Sequence, residues 1–132
     1  MINPIKFGNL YAGLLKQNQQ QQKQDLINKN YNEIYAHEQA HKSAGGALAG
    51  SIVIEKNADG IPVGGHVNIK MPVLDPENPQ KTIDEANIVI NSAMAPGDPS
   101  PQDYKVAAKA REIKAKAQSM LTTNGKKLNL IG

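Results

Sequence analysis

The chain contains no cysteine, no tryptophan and a single phenylalanine among its 132 residues. Without cysteine it can form neither disulfides nor thiolate metal sites, so imidazole and carboxylate are the side chains left to bind a metal. Because aromatic side chains bury the most area, their scarcity predicts a small core of Ile, Leu, Val, Met and Ala. The length and composition indicate one globular domain.

Long apolar runs are also missing. The opening MINPIKFGNLYAGLLKQ contains no stretch suited to a signal-peptide core, and no later segment approaches the length of a membrane span. We therefore expect a cytoplasmic protein without a membrane span. The net charge is only +3, and the lysines of 105–127 are spread over the surface of a predicted helix, so no nucleic-acid partner is expected.

Two of the three histidines form the most informative pattern of the chain. His37 and His41 flank Glu38 in the segment HEQAH. On a helix, positions i and i+4 lie on one face, so both imidazoles can bind one zinc ion. Glu38 would lie beside the metal, where its carboxylate can accept a proton from an activated water. The pattern predicts a zinc-dependent hydrolase with His37 and His41 as ligands and Glu38 as the catalytic base.

This motif falls in the middle of a predicted helix. Apolar residues recur at helical spacing from Asp25 to about Ala44, and Gly45-Gly46 is a typical stop signal. Residues 1–24 end in QNQQQQKQ, which predicts a flexible, glutamine-rich segment or a frayed helix. We assign residues 25–122 to a zinc metalloprotease domain and 123–132 to a mobile tail.

A β-hairpin and two further helices are predicted after the motif. Two β-prone runs, 51–55 and 61–69, flank an Asp-Gly turn signal, and Gly64-Gly65 indicates a bulge or a close approach by another element. Thr82-x-x-Glu85 suggests a capping box at the start of one helix, and Ser100-Pro101 suggests the start of the next. The expected fold is α+β and minimal zincin-like, with the HExxH helix packed with a β-hairpin and two C-terminal helices.

Catalytic zinc generally has three protein ligands and an open position, so the motif needs a third ligand. The extended pattern HExxHxxGxxH would require Gly at 44 and His at 47, and Ala44 and Ala47 exclude that class. The carboxylates near Thr82 and Ser100 also suit helix N-termini, and a histidine on the polar face of a strand is often a surface residue. The downstream candidates are His66, Asp75, Glu77, Asp84, Glu85, Asp98 and Asp103.

Three segments in the same order resemble the bacterial SprA-related family of HExxH-containing metalloproteases. They are YAHEQAHKSAGG, GSIVIEKNADGIPVGGHVNI and AMAPGDPSPQDYKVAAKA, and the resemblance covers about residues 30 to 118. It implies zinc-dependent peptidase chemistry with His37 and His41 as ligands and Glu38 as base. Members of that family usually carry glutamate after the Gly-Gly pair, where this chain has His66. Since both side chains bind zinc, the resemblance favours His66 as the third ligand.

The sequence thus predicts a zinc-dependent metallopeptidase that hydrolyses a peptide bond in a peptide or protein substrate. A donor to the tetrahedral oxyanion is also needed, and four side chains remain open for that role: Tyr31, Tyr35, Tyr104 and Asn68. The alternative is a non-enzymatic, metal-stabilised interaction module that binds a partner through its basic C-terminal helix. A closed site with four protein ligands would favour that alternative, because structural zinc lacks an open position.

Overall fold

A computed structural model describes the backbone of residues 4–131 and the side chains of residues 9–123. In chain order, the described residues form α1 (Pro4–Gly45), a short 3₁₀ turn (Gly46–Leu48), β1 (Ala49–Lys56), β2 (Pro62–Ile69), α2 (Pro79–Met94) and α3 (Pro101–Ile131). This arrangement confirms the predicted α+β fold, in which the motif helix packs with a hairpin and two later helices. No helix within the described residues has both the length and the hydropathy that a membrane crossing requires.

The motif helix is longer than the sequence predicts. It begins at Pro4 rather than near Asp25, and it ends at Gly45 as the Gly-Gly stop signal predicts. Glutamine and lysine are good helix formers, and the amides of Gln21 and Gln24 donate to acceptors four residues later, so the polar stretch continues the helix. The predicted flexibility of 1–24 stays a prediction, and most of the predicted mobile tail, 123–132, lies outside the residues whose side chains are described.

The hairpin forms where the sequence predicts it. β1 and β2 pair antiparallel, and Gly60 closes the turn with φ of 77°, a conformation that glycine adopts without a steric penalty. The side chain of Asn57 accepts the backbone N–H groups of Asp59 and Ile61, which fixes the turn. The register shifts between Glu55 and Lys56, so the strand alternation is interrupted near Val63, which is exposed.

Gly65 lies where the hairpin approaches α1 most closely. A Cβ atom there would lie 2.7 Å from Cγ2 of Ile34, 2.9 Å from the Val53 carbonyl oxygen and 3.2 Å from Cγ of Glu38. Only a residue without a side chain fits between the strand and the helix at this point. The close approach predicted from the Gly-Gly pair is confirmed, and it brings β2 against the motif.

The core is small and rich in alanine. Helices α2 and α3 pack against each other through buried small side chains, which let their backbones approach closely. The buried core residues are Ile83, Ala86, Val89, Ala93, Ala107, Ala110 and Ala117. An aliphatic core is what the lack of aromatic residues predicts.

The predicted capping box of α2 is wrong. The helix begins at Pro79, and the side chain of Asn78 accepts the backbone N–H of Lys81 as its N-cap. Thr82 is buried instead, where its hydroxyl donates to the Val73 carbonyl and accepts the N–H of Asp75. Thr82 therefore takes part in buried tertiary contacts and does not cap the helix as the local pattern predicts.

Candidate metal centre

The helical spacing of the motif brings both imidazoles to one point on the side of α1. Nε2 of His37 lies 3.2 Å from Nε2 of His41, and the two rings meet edge to face. Two nitrogens bound to one tetrahedral zinc ion are roughly 3.3 Å apart, given Zn–N distances of 2.0–2.1 Å. The separation in this chain therefore fits two ligands of one zinc ion.

His41 is buried, and Ser92 of α2 contacts both its imidazole ring and its backbone carbonyl. Its Nδ1 lies 2.6 Å from the carbonyl oxygen of Ser92, and because a carbonyl only accepts, Nδ1–H is the donor. The Ser92 hydroxyl in turn donates to the backbone carbonyl of His41, also at 2.6 Å. The first bond leaves the lone pair of a neutral ring on Nε2, the atom that faces His37.

Ser92 contacts the motif at His41, and the sequence prediction missed it. It is fully buried within the apolar stripe of α2, next to Ala93. A small polar residue inside an otherwise apolar helix face is the one signal that could have identified it, because buried hydroxyls need a partner.

His37 lies nearer the surface and contacts two carboxylates from the start of α3 and the loop before it. Its Nδ1 is 3.3 Å from Oδ1 of Asp98, and its Nε2 is 3.3 Å from Oδ2 of Asp103. Oδ1 of Asp103 also lies 3.2 Å from Nε2 of His41. Of the downstream acids considered from the sequence, Asp98 and Asp103 are therefore the two brought to the motif.

Glu38 is buried beside the two histidines. His37, Glu38 and His41 form a group whose ligand-type atoms all lie within 4.8 Å of one another, so the group could hold a metal ion. Burial raises the pKa of Glu38 above its ordinary value of about 4.5, while His41 and His37 offset part of the rise. A carboxylate with a raised pKa beside two imidazoles is well suited to accept a proton.

These groups line a cleft of about 410 Å³, a volume in the range of small-molecule and peptide sites. One side is helical and includes Ala93, Asp103 and Val106, and the other is formed by residues 65–69 of β2. Of the four oxyanion-donor candidates, Asn68 lines this cleft. Tyr31 and Tyr35 stack on each other with ring centroids 5.8 Å apart, and both are exposed.

His66 lines the same cleft from the β2 side. Its Nδ1 lies 3.0 Å from Oε1 of Glu55, and its side chain is 46% exposed. Like Asp103, it does not belong to the group whose ligand atoms all lie within 4.8 Å of one another. Its assignment as the third zinc ligand stays a prediction.

Comparison with known proteins gives one match. No curated protein and no solved structure matches the chain. The model of the SprA-related family matches residues 13–127, which include the motif helix, the hairpin, α2 and most of α3. The match extends beyond the segments that carry the resemblance in sequence, and on this basis the chain belongs to the SprA-related family.

Proposed function

We propose that this protein is a zinc-dependent metallopeptidase that hydrolyses peptide bonds, with His37 and His41 as zinc ligands and Glu38 as general base. The observation that carries the proposal is the convergence of the two Nε2 atoms, 3.2 Å apart, beside a buried glutamate at an open cleft. A bound zinc ion would lower the pKa of a water molecule towards neutrality and polarise the scissile carbonyl.

Glu38 supplies the proton transfers of this reaction. Its carboxylate accepts the proton of the attacking water as oxygen bonds to the carbonyl carbon. It then donates that proton to the departing amine as the C–N bond breaks, so the carboxylate is regenerated. The raised pKa of Glu38 in the metal-free chain suits the first step, because a stronger base takes a proton more readily.

The shape of the cleft supports an extended peptide as substrate. Residues 65–69 of β2 form one of its sides, and the sheet of the described residues has two strands, so β2 pairs with β1 alone. The other edge of such a strand offers backbone N–H and C=O groups to an extended chain. An incoming peptide would then pair with β2 while its scissile bond faces Glu38.

The alternative proposal, a non-enzymatic module with a structural metal, has less support. A structural zinc ion has four protein ligands and no access to solvent. The side chain of His37 keeps 21% of its surface exposed at the mouth of the cleft, which favours an open, catalytic site.

The test compares the zinc-loaded parent with Glu38→Gln and with Glu112→Gln, an exposed glutamate of α3 that serves as the control. The substrates are casein, as an unstructured protein, and a mixed library of fluorogenic peptides. Glu38→Gln should retain about one zinc per chain by elemental analysis and lose about 10²–10⁴-fold in hydrolysis, because an amide cannot act as a base. Glu112→Gln should cleave like the parent. Cleavage by Glu38→Gln at the parental rate, or a zinc-loaded parent that cleaves none of these substrates, would contradict the proposal.

A further inference from the structure

We propose that Asp103 is the third protein ligand of the metal centre and completes it with His37 and His41. The inference rests on the proposed function in one respect, namely that the metal is zinc. It concerns a residue of α3, whereas the sequence favours His66 of β2.

The first support is the geometry of the carboxylate. Oδ2 of Asp103 lies 3.3 Å from Nε2 of His37, and Oδ1 lies 3.2 Å from Nε2 of His41. The two nitrogens are themselves 3.2 Å apart, so the Asp103 carboxylate approaches both of them, with one oxygen at each. Ligand atoms of one tetrahedral zinc ion are separated by roughly the same 3.3 Å.

The second support is the chemistry of the three facing groups. Because Nδ1–H of His41 donates to the Ser92 carbonyl, a neutral His41 ring presents the lone pair of Nε2 to Asp103, and a His37 ring whose Nδ1–H donates to Asp98 would present its own Nε2 lone pair to the same point. A cation shared by these two nitrogens and the Asp103 carboxylate would be bound by imidazole and carboxylate, the donors that zinc takes.

The third support is that Asp103 is held in place before any metal binds. Its Oδ2 accepts the backbone N–H of Ser100 at 2.8 Å, and the Ser100 hydroxyl accepts the N–H of Asp103 at 3.1 Å. This reciprocal pair fixes the carboxylate at the first turn of α3, where its side chain is only 16% exposed. A ligand that is already ordered loses little conformational entropy when a metal binds.

Asp98 has a different role in this arrangement. Its Oδ1 lies 3.3 Å from Nδ1 of His37, whereas Nε2 of His37 is the nitrogen that faces His41. Asp98 would therefore contact the proposed ligand His37 without contacting the metal itself. Because its side chain is 93% exposed, the contact should be weak. It therefore provides a matched carboxylate control on the same segment as Asp103.

The test measures zinc affinity in competition with a chelating indicator dye, together with the rise in melting temperature that zinc produces. Asp103→Asn keeps an oxygen that accepts the Ser100 N–H but removes the charge, so the fold should be retained while the zinc dissociation constant rises about 100-fold or more. Asp98→Asn should change the constant by no more than about tenfold, the low end for an outer partner, because its contact with His37 is exposed to water. Ser100→Ala removes the hydroxyl that caps α3 and separates loss of the cap from loss of the ligand.

The expected result is that Asp103→Asn loses both zinc affinity and the zinc-dependent rise in melting temperature, while His66→Ala and Ser100→Ala bind zinc within a few-fold of the parent. Parental affinity in Asp103→Asn, or a larger loss in His66→Ala than in Asp103→Asn, would overturn Asp103 as the ligand while leaving the zinc enzyme intact. A parent that binds no zinc would overturn both proposals. Zinc-replete parent without peptidase activity, but with affinity lost in Asp103→Asn, would contradict only the proposed function.

Discussion

The two sides of the cleft differ in how firmly they hold a polar side chain near the motif. On the helical side, Asp103 is mostly buried and its carboxylate is fixed by the backbone of Ser100. On the hairpin side, His66 is nearly half exposed, and its partner Glu55 is itself exposed. A buried group with fixed partners is pre-organised, whereas an exposed pair exchanges its partners with water. In our proposal, the helical side would hold the metal and the hairpin side would shape the cleft.

The largest expected effect comes from breaking the contact of the hairpin with α1. Gly65→Ala would place a methyl group 2.7 Å from Ile34 and 3.2 Å from Cγ of Glu38, so it should destabilise the fold by about 1–3 kcal/mol and lower hydrolysis. Urea unfolding of the parent and the variant measures the loss.

Gly64→Ala is the control for that change, because the nearest atom to its added Cβ is Oε2 of Glu55 at 3.7 Å. It should be neutral or slightly stabilising, since alanine reduces the entropy of the unfolded chain. Equal effects of the two substitutions would mean that the hairpin does not depend on its close approach to α1.

On the helical side, Ser92→Ala removes the hydroxyl that donates to the buried carbonyl of His41. We expect a loss of about 1 kcal/mol in unfolding free energy, the usual contribution of one buried hydrogen bond. Zinc affinity should stay within a few-fold of the parent, because the bond that orients the His41 ring comes from the Ser92 backbone. The exposed Ser43 of α1 offers a matched control, and Ser43→Ala should change stability by less than about 0.5 kcal/mol. A tenfold loss of zinc affinity in Ser92→Ala would show that the hydroxyl helps to position the ligand.

Between the two sides, Glu38 should reduce the stability of the metal-free protein. Its folded pKa is raised by burial, so the ionised carboxylate is disfavoured in the folded state, and the penalty is complete above that pKa. In the presence of a chelator, Glu38→Gln should therefore unfold at a higher temperature than the parent at pH 7. The difference in melting temperature should disappear as the pH falls below about 4, where the glutamate is protonated in both the folded and the unfolded state.

Melting curves of parent, Glu38→Gln and Glu112→Gln between pH 3 and 8 measure this dependence. Glu112 is exposed, so the difference in melting temperature between Glu112→Gln and the parent should not change with pH. A Glu38→Gln variant that is less stable than the chelated parent at pH 7 would contradict the expected penalty.

The smallest effect is expected at the rim of the hairpin side. His66 and Glu55 are 46% and 58% exposed, and exposed ion pairs contribute little because water and salt screen them. His66→Ala should therefore change the unfolding free energy by less than about 0.5 kcal/mol in urea titrations. A loss of 2 kcal/mol or more would indicate that His66 has partners beyond Glu55 and would favour it as a ligand.

Local patterns predicted most of the fold. The i, i+4 histidines, the Gly-Gly stop and the Asp-Gly turn depend on neighbours in the sequence, and each is found where it is predicted. The start of α2 was wrong because Thr82 is used in tertiary contacts, which no local pattern encodes. The start of α1 was placed too late because a polar stretch without a core-facing stripe can still be helical.

The candidate site divides in the same way. The sequence by itself determined that two imidazoles and one glutamate share a face of one helix, because that follows from 3.6 residues per turn. It also restricted any further metal ligand to an imidazole or a carboxylate, since cysteine is absent. Only the tertiary structure decided which downstream groups approach the motif, because the packing of α3 and of β2 against α1 depends on contacts far apart in the chain. That packing brings the Asp103 carboxylate into contact with the Nε2 atoms of His37 and His41. It leaves His66 on the opposite side of the cleft, paired with Glu55.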